Sequence, residues 1–466
     1  MENEKRSSFS GHFGFVIAAA SSAIGLGNLW RFPYLAAKDG GGIFLLFYII
    51  LVLTFGYTML TTEVAIGRKT RQGPLTAYSA IHKNWGALGI IACAIPAIIM
   101  PYYCVIGGWV FKYLEVFLTF NGEAAAEDGY FTGHITAQWE PIIWTVLFFA
   151  VCAIIIIVGV EKGIEKYSRI LMPILLVLII GISIFSLTLS YTDADGVTRT
   201  GIDGLKVYFI PNFDGLGPKD YMITFMDALG QLFFSISVAM GIMVAYGSYA
   251  PKEANLGKAI NNIEFFDTAA ALLAGFMIIP AVVVFMGADN MSAGPGLMFI
   301  SLPKVFAAMG GAGKVVGLVF FLIVSLAAVT SAVSVMEAVV SSLIDKFKWS
   351  RLKSSIIFSV YTIILGVIVC LGYNKLYFEK TLPNGAVAQV LDLMDYLSNN
   401  LLMPTIALLT CILIGWVVKP VTIIDEVTQG KYKFSRKWLY VAMIKFIAPA
   451  LLLLMLLQSL GLNIIQ

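Results

Sequence analysis

The sequence predicts an all-α integral membrane protein whose first and sixth membrane helices are broken. Composition gives the class: the 466 residues are 59% hydrophobic and 13% charged, where ordinary soluble domains carry roughly 25% charged residues. The apolar residues also gather into runs of ~20, the length that crosses a bilayer core. The first run, from Phe13, holds the stretch Ala20-Ser21-Ser22-Ala23-Ile24-Gly25-Leu26-Gly27-Asn28-Leu29-Trp30-Arg31-Phe32-Pro33. A bilayer-crossing helix gains nothing from two serines, two glycines, an amide and a guanidinium. Glycine weakens a helix interior, and an ionisable residue at membrane depth points to function. Irregular backbone there is tolerated only where it is buried in protein or lines a cavity.

Taken in order, the apolar runs predict eleven spans, at 13–38, 42–67, 88–119, 141–160, 166–190, 221–248, 261–287, 314–344, 354–373, 388–418 and 438–461. The stretch 292–310 is too short and too rich in Gly and Pro to cross, and reads as a re-entrant or surface segment. The polar start MENEKRSSFS has no cleavable signal pattern, which keeps the first span in the mature chain. With that start in the cytoplasm, the same side collects most of the 31 basic residues, whereas the opposite loops carry acids such as Glu123, Asp128 and Asp203. The positive-inside rule then sets the N-terminus in the cytoplasm and the C-terminus outside or in the periplasm. Five cysteines without a CxxC pair argue against a disulfide framework, and three scattered histidines against a histidine metal centre. Nothing in the chain calls for nucleic acid or nucleotide, and no nucleophile–base pair or pair of catalytic acids suggests an enzyme.

Span six reads GQLFFSISVAMGIMVAYGSY, with Ser235, Ser237 and Gly241 interrupting an apolar run. The second break comes five spans after the first, an odd count, so the broken helices run in opposite senses through the membrane. Such a pair in two halves marks a transporter site at an inverted-repeat interface. Small residues alone serve helix packing equally well, but Asn28 and Arg31 exceed what packing needs. The segments GNLWRFPYLAAKDGGGIFLLFY, TTEVAIGR, PYYCVIGGW, GQLFFSIS, AAVTSAVSVMEAVVSSLID and LDLMD, in this order, resemble the neurotransmitter:sodium symporter family, and in particular its bacterial amino-acid transporters. The resemblance runs from about Arg6 to the last span. It implies a LeuT-type fold: a cytoplasmic tail at 1–10, inverted five-helix repeats at 11–210 and 211–420, and a loop with an additional helix at 421–466.

The resemblance also assigns residues. A substrate carboxylate would meet the backbone amides of Leu26 and Gly27, which unwinding frees at a half-helix N-terminus, and the Tyr103 hydroxyl. Oxygens of Ala23, Phe234, Ser235 and Ser237 would face the ammonium. Ile99, Tyr103, Phe234, Ser237, Met240, Ser331 and Val335 would line the side-chain pocket, with the Ala239 methyl narrowing its floor and Met240 able to repack. A hard cation takes oxygen ligands. The first of two Na+ sites would use Ala23, Asn28, Ser235 and an acid of span seven, Asp267 or an adjacent position. The second would use Ser21, Ile24, Ala327, Thr330 and Ser331, although a Ser or Thr in a membrane helix often only bonds back to its own backbone. The fixed charge of Asp267 would make chloride unnecessary. Glu63 would hold the unwound backbone.

For gates, the resemblance implies Arg31 with Asp395 on the outside and the Tyr103–Phe234 lid over the substrate. Arg6, Tyr249 and Asp345 would close the cytoplasmic side, the Arg6–Asp345 pair being weak enough, at about 1 kcal/mol, to break each cycle. Gly163 and Pro173 form a GlyX9Pro spacing where a kinked end of span five would unwind. The reading is Na+-coupled symport of a neutral, hydrophobic L-amino acid across the inner (plasma) membrane without chloride. A non-transporting receptor that keeps the site is the alternative.

Overall fold

In the computed structural model the described residues are 8–193, 196–213, 217–287, 291 and 293–462. Among them, nine helices are long and apolar enough to cross a membrane. They are Gly42–Thr70, Lys83–Leu118, Glu140–Val158, Val160–Leu187, Leu256–Met286, Gly311–Phe347, Arg351–Leu371, Val390–Val417 and Lys437–Ser459. We number these spans two to five and seven to eleven. Span one is the pair His12–Ala23 and Gly27–Lys38, bent by 51°, which makes a tenth crossing if counted as one.

The one remaining expected crossing, span six, is two helices, Pro218–Ser235 and Ile242–Tyr249, on either side of a six-residue break. Its second half is too short to read as a crossing alone, so length and composition support nine or ten spans rather than eleven. The helix Leu297–Ala308 is also too short to cross, in agreement with the reading of that stretch. The loops hold two features the sequence did not suggest, the antiparallel pairs Ser190–Thr192 with Thr198–Thr200 and Lys380–Thr381 with Val387–Ala388.

Small residues set the close approaches that place the broken helices. Gly67 of span two lies against the Val244 carbonyl of span six, and Gly247 of span six against the Val64 carbonyl, with no room for a Cβ at either. Thr58, Thr61 and Thr62 return their hydroxyls to carbonyls four residues back at 2.6–2.8 Å. Span two therefore carries these polar groups at little cost. Span one packs on span seven, and span three on span eight, so both breaks lie deep between long continuous helices.

Candidate functional site

At the break in span one the helix ends at Ala23, Ile24 turns extended (φ −74°, ψ 97°), and helical backbone resumes at Gly27. Glycine is required here by contact rather than by φ. A Cβ on Gly25 would stand 2.7 Å from Ser331 Oγ, and one on Gly27 would stand 2.5 Å from the Phe234 ring. In span six the chain leaves helix after Ser235, and two non-glycine residues take left-handed backbone, Ser237 at φ 54° and Ala239 at φ 60°, before Gly241 at φ 74°. Such residues cost of order 1–3 kcal/mol each and persist only where the surroundings hold them. The holders are visible. The Ala239 N–H donates to Glu63 Oε1 at 2.6 Å, and the Ser237 hydroxyl donates to the Ser22 carbonyl at 3.1 Å. Ala239 does not line the cavity; the expectation that its methyl narrows the floor is corrected, because its backbone turns the chain instead.

The two breaks face a cavity of about 40 Å³. All eleven residues expected to contact substrate line it: Ala23, Leu26, Gly27, Ile99, Tyr103, Phe234, Ser235, Ser237, Met240, Ser331 and Val335. Ser22, Gly25 and Ile242 join them without having been foreseen. The Tyr103 hydroxyl is buried beside the Leu26 amide and Ser331 and has no hydrogen-bond partner of good geometry. A native structure rarely leaves such a group unmatched, and one at a cavity marks a place for a polar ligand atom.

Oxygens cluster beside the cavity. Asp267 is fully buried, and its Oδ1 accepts from Asn28 Nδ2 at 2.9 Å and from Ser235 Oγ at 2.8 Å. Ser235 Oγ also lies 3.1 Å from Asn28 Oδ1, while Asp267 Oδ2 has no partner. Two further buried polar groups of this neighbourhood escaped the sequence reading. The Gln231 amide donates to the Gly27 carbonyl at 3.1 Å, and the unpartnered Tyr48 hydroxyl lies within the field of Asp267. A glutamine and a tyrosine at membrane depth were the available signals.

The second oxygen group is less uniform. Ser331 crosses to span one, its hydroxyl 3.1 Å from the Ser22 carbonyl and 3.4 Å from that of Ile24. Thr330 bonds back to the Leu326 and Ala327 carbonyls, both at 3.1 Å. Ser21, Ile24 and Thr330 line one narrow gap, and Ala327 is buried in span eight.

The expected gates fare unequally. Arg31 and Asp395 feel one another's charge but form no direct ion pair. Asp395 Oδ1 accepts from Tyr102 at 3.2 Å and from Asn399 at 2.6 Å, while the Arg31 guanidinium lies beside Gly230. The expected contact is corrected on this point: the neighbouring tyrosine of the YY pair and a carboxamide one turn further along span ten take the carboxylate.

Arg6, and with it the expected Arg6–Asp345 pair, lies outside the described residues. Asp345 Oδ2 accepts from the Gly73 amide at 2.5 Å. The Tyr249 hydroxyl donates to Glu337 Oε1 at 2.6 Å, and Arg351 grips the same carboxylate in a two-pronged pair at 2.7 and 2.8 Å. Glu337 stood unremarked in the motif that holds Thr330 and Ser331, although an acid inside an apolar span is itself a signal. Gly163 sits in the wide helical turn Val160–Glu165 and Pro173 inside the helix Lys166–Leu187; this end of span five is helical throughout rather than unwound.

Comparisons agree with this geometry. The model of the sodium:neurotransmitter symporter family matches residues 6–128 and 130–463. The sodium-dependent transporter YhdH of Bacillus subtilis is 31% identical over 99% of each chain. The sodium-dependent transporter MJ1319 of Methanocaldococcus jannaschii is 31% identical over 95% of this chain and 88% of its own. The human sodium- and chloride-dependent GABA transporter 2 is 27% identical over 74% of this chain and 62% of its own. A crystal structure of MhsT in complex with L-phenylalanine superposes with a TM-score of 0.84 at 31% identity, covering 98% of this chain and 100% of that one. The fold is thus the LeuT-type fold, and the chain belongs to the sodium:neurotransmitter symporter family, sodium-coupled membrane transporters of small molecules rather than enzymes.

Proposed function

We propose that the protein carries a neutral, hydrophobic L-amino acid into the cell together with Na+, by alternating access and without chloride. The observation that carries this is the meeting of two unlike surfaces in one cavity. One end has the backbone of Leu26 and Gly27, where helix resumes, with the unpartnered Tyr103 hydroxyl; the other is Ile99, Met240, Val335 and the Phe234 ring, and no charged side chain is among the lining residues. The first end suits a carboxylate, the second an apolar side chain. An apolar pocket separates substrates that differ by a methylene by only about 1–3 kcal/mol, so several related amino acids should compete. That MhsT was crystallised with L-phenylalanine supports the class.

In this reading Na+ is cargo held by oxygens. Asn28, Ser235 and Asp267 already stand within hydrogen-bond distance of one another, and with the Ala23 carbonyl they offer a hard cation a donor set it prefers. The Asp267 carboxylate supplies on the protein the negative charge that chloride would otherwise bring. Ser21, Ile24, Ala327, Thr330 and Ser331 form the second site; there Thr330 has only to turn its hydroxyl away from its own helix. The N-terminus and the Glu337–Arg351 face lie in the cytoplasm, in line with the distribution of Lys and Arg. Thermal stabilisation of the purified protein by each of the twenty amino acids, in Na+ and in K+, tests the reading. We expect a few neutral, apolar amino acids to stabilise in Na+ alone, with the same result when gluconate replaces chloride. No response to any amino acid would defeat the substrate class; loss of response in gluconate would defeat chloride independence.

A further inference from the structure

The first half of span one, with Ser10 just before it, is fastened to the start of span five at two points whose span-five residues the transport reading leaves unused. At the first, the Ser10 N–H donates to Glu165 Oε2 at 2.8 Å, and the Ser10 hydroxyl bonds the other oxygen of the same carboxylate. Arg169 pairs with Glu165 at 2.6 Å and donates to the Ser10 hydroxyl at 2.6 Å. Glu165 is buried and lies directly against Gly14, which has no space for a Cβ. At the second point the hydroxyls of Ser21 and Ser168, both buried, share a hydrogen bond of 2.8 Å.

The second point borders the oxygen group of spans one and eight. Ser21, Ile24 and Thr330 line one side of a narrow gap, and Leu171, Met172 and Leu175 of span five line the other. Span five is therefore the wall of that gap, and an ion leaving through this wall must part span one from span five. Glu165 and Ser168 both lie between Gly163 and Pro173, so a change of backbone in that stretch withdraws both contacts together.

We propose that Glu165 and Ser168 are positioning residues of the transport cycle, a two-point latch that keeps the first half of span one on span five while the second sodium is held. The proposal rests on the sodium-coupled reading above and adds to it the side chains through which occupancy of that site is transmitted. Ser21 is the link: in the sodium-coupled reading its carbonyl would serve the ion, while its hydroxyl bonds Ser168. The Ser21 hydroxyl also lies 3.0 Å from the Ala18 carbonyl of its own helix, so once the ion leaves, its tie to span five is one neutral hydrogen bond, weak enough to break in every cycle.

The test is the Na+ concentration for half-maximal amino-acid uptake in proteoliposomes. Ser168→Ala should raise it by about three- to ten-fold, the loss of one hydrogen bond, and leave the KM for the amino acid at saturating Na+ little changed. Ser168→Thr should restore the wild-type midpoint, and Glu165→Gln should raise it in the same direction as Ser168→Ala. An unchanged midpoint in both Ser168→Ala and Glu165→Gln overturns the latch. So does a loss that Thr does not restore, or one that moves KM and the Na+ midpoint alike, because either marks a merely structural contact. Uptake by the wild-type protein that ignores Na+ defeats instead the reading on which the latch rests, and it shows before any variant is made.

Discussion

The two breaks reach the same cavity by different physical means. Span one uses glycine where a neighbour leaves no room: Ser331 presses on Gly25 and Phe234 on Gly27. Span six instead bends ordinary residues, Ser237 and Ala239, into left-handed backbone and holds them from outside through Ser22 and Glu63. The first break is shaped by what is absent at two positions; the second depends on a carboxylate in another helix. The first should therefore be sensitive to added atoms and the second to the loss of its clamp.

The largest effect is expected at that clamp. Glu63→Ala leaves the buried Ala239 N–H without a partner and removes the group that holds the strained turn; an unmatched buried donor and a lost bond to a carboxylate together cost about 3 kcal/mol. Glu63→Gln keeps an acceptor and should recover most of it. Thermal unfolding in detergent, with and without substrate, measures both, and equal stability of the Ala variant and the wild type would remove the clamp from the account. Next comes Gly25→Ala, whose methyl must displace the Ser331 hydroxyl from the span-one carbonyls. Overpacking of this kind costs about 1–3 kcal/mol, and here it should weaken substrate binding more than it lowers the unfolding temperature, because the displaced group lines the cavity.

A change of opposite sign belongs to span six. Ala239→Gly removes the Cβ that left-handed backbone crowds and should stabilise the folded state by about 1 kcal/mol. The same substitution in a relaxed helix would destabilise by a similar amount, so the sign reports whether the turn is strained in solution. A rise of a few degrees in unfolding temperature is expected, and a fall would mean that the φ of 60° at Ala239 is not kept.

What the sequence disclosed follows the same division. Gly25, Gly27 and Asn28 betray the first break locally, because residues that a membrane helix avoids stand in a run of ones it prefers. Ser235 and Ser237 gave a fainter sign of the second, and Ala239 gave none: alanine looks like helix, and its φ is imposed by Glu63, 176 residues away in sequence. The convergence of the cavity residues was legible only through motifs in a fixed order, since Ile99 or Val335 alone is indistinguishable from any core residue. The ion pairs were least legible. Arg31 and Asp395 carry obvious charges but do not meet, whereas Glu337 meets Arg351 and the buried Arg68 of span two meets Glu426 at 2.6 Å. Sequence reveals the sign of a charge, and only packing decides which opposite charge is reachable.

The smallest effect tests whether the two broken helices are joined at their far ends as well as at the cavity. Lys38, the last residue of span one, reaches Asp227 of span six at 3.1 Å and its neighbour Asp39 at 3.4 Å. Asp39 lies just beyond the span, and burial, reinforced by the charge of Asp227, pushes its carboxyl up to about 7. A carboxyl whose folded value is raised holds its proton more tightly in the native state than in the unfolded one. Stability should therefore fall as pH rises from the ordinary aspartate value of 3.8 toward about 7, since over that window the folded protein binds more protons. Lys38 is half exposed, so water screens much of the effect and the slope should be shallow. Asp39→Asn should flatten the pH profile of the unfolding temperature between those limits while leaving the Na+ midpoint of uptake unchanged. An equally steep profile in the Asn variant would assign the titration to another group. A shifted Na+ midpoint would mean instead that the far ends of the broken helices and the ion sites respond as one body.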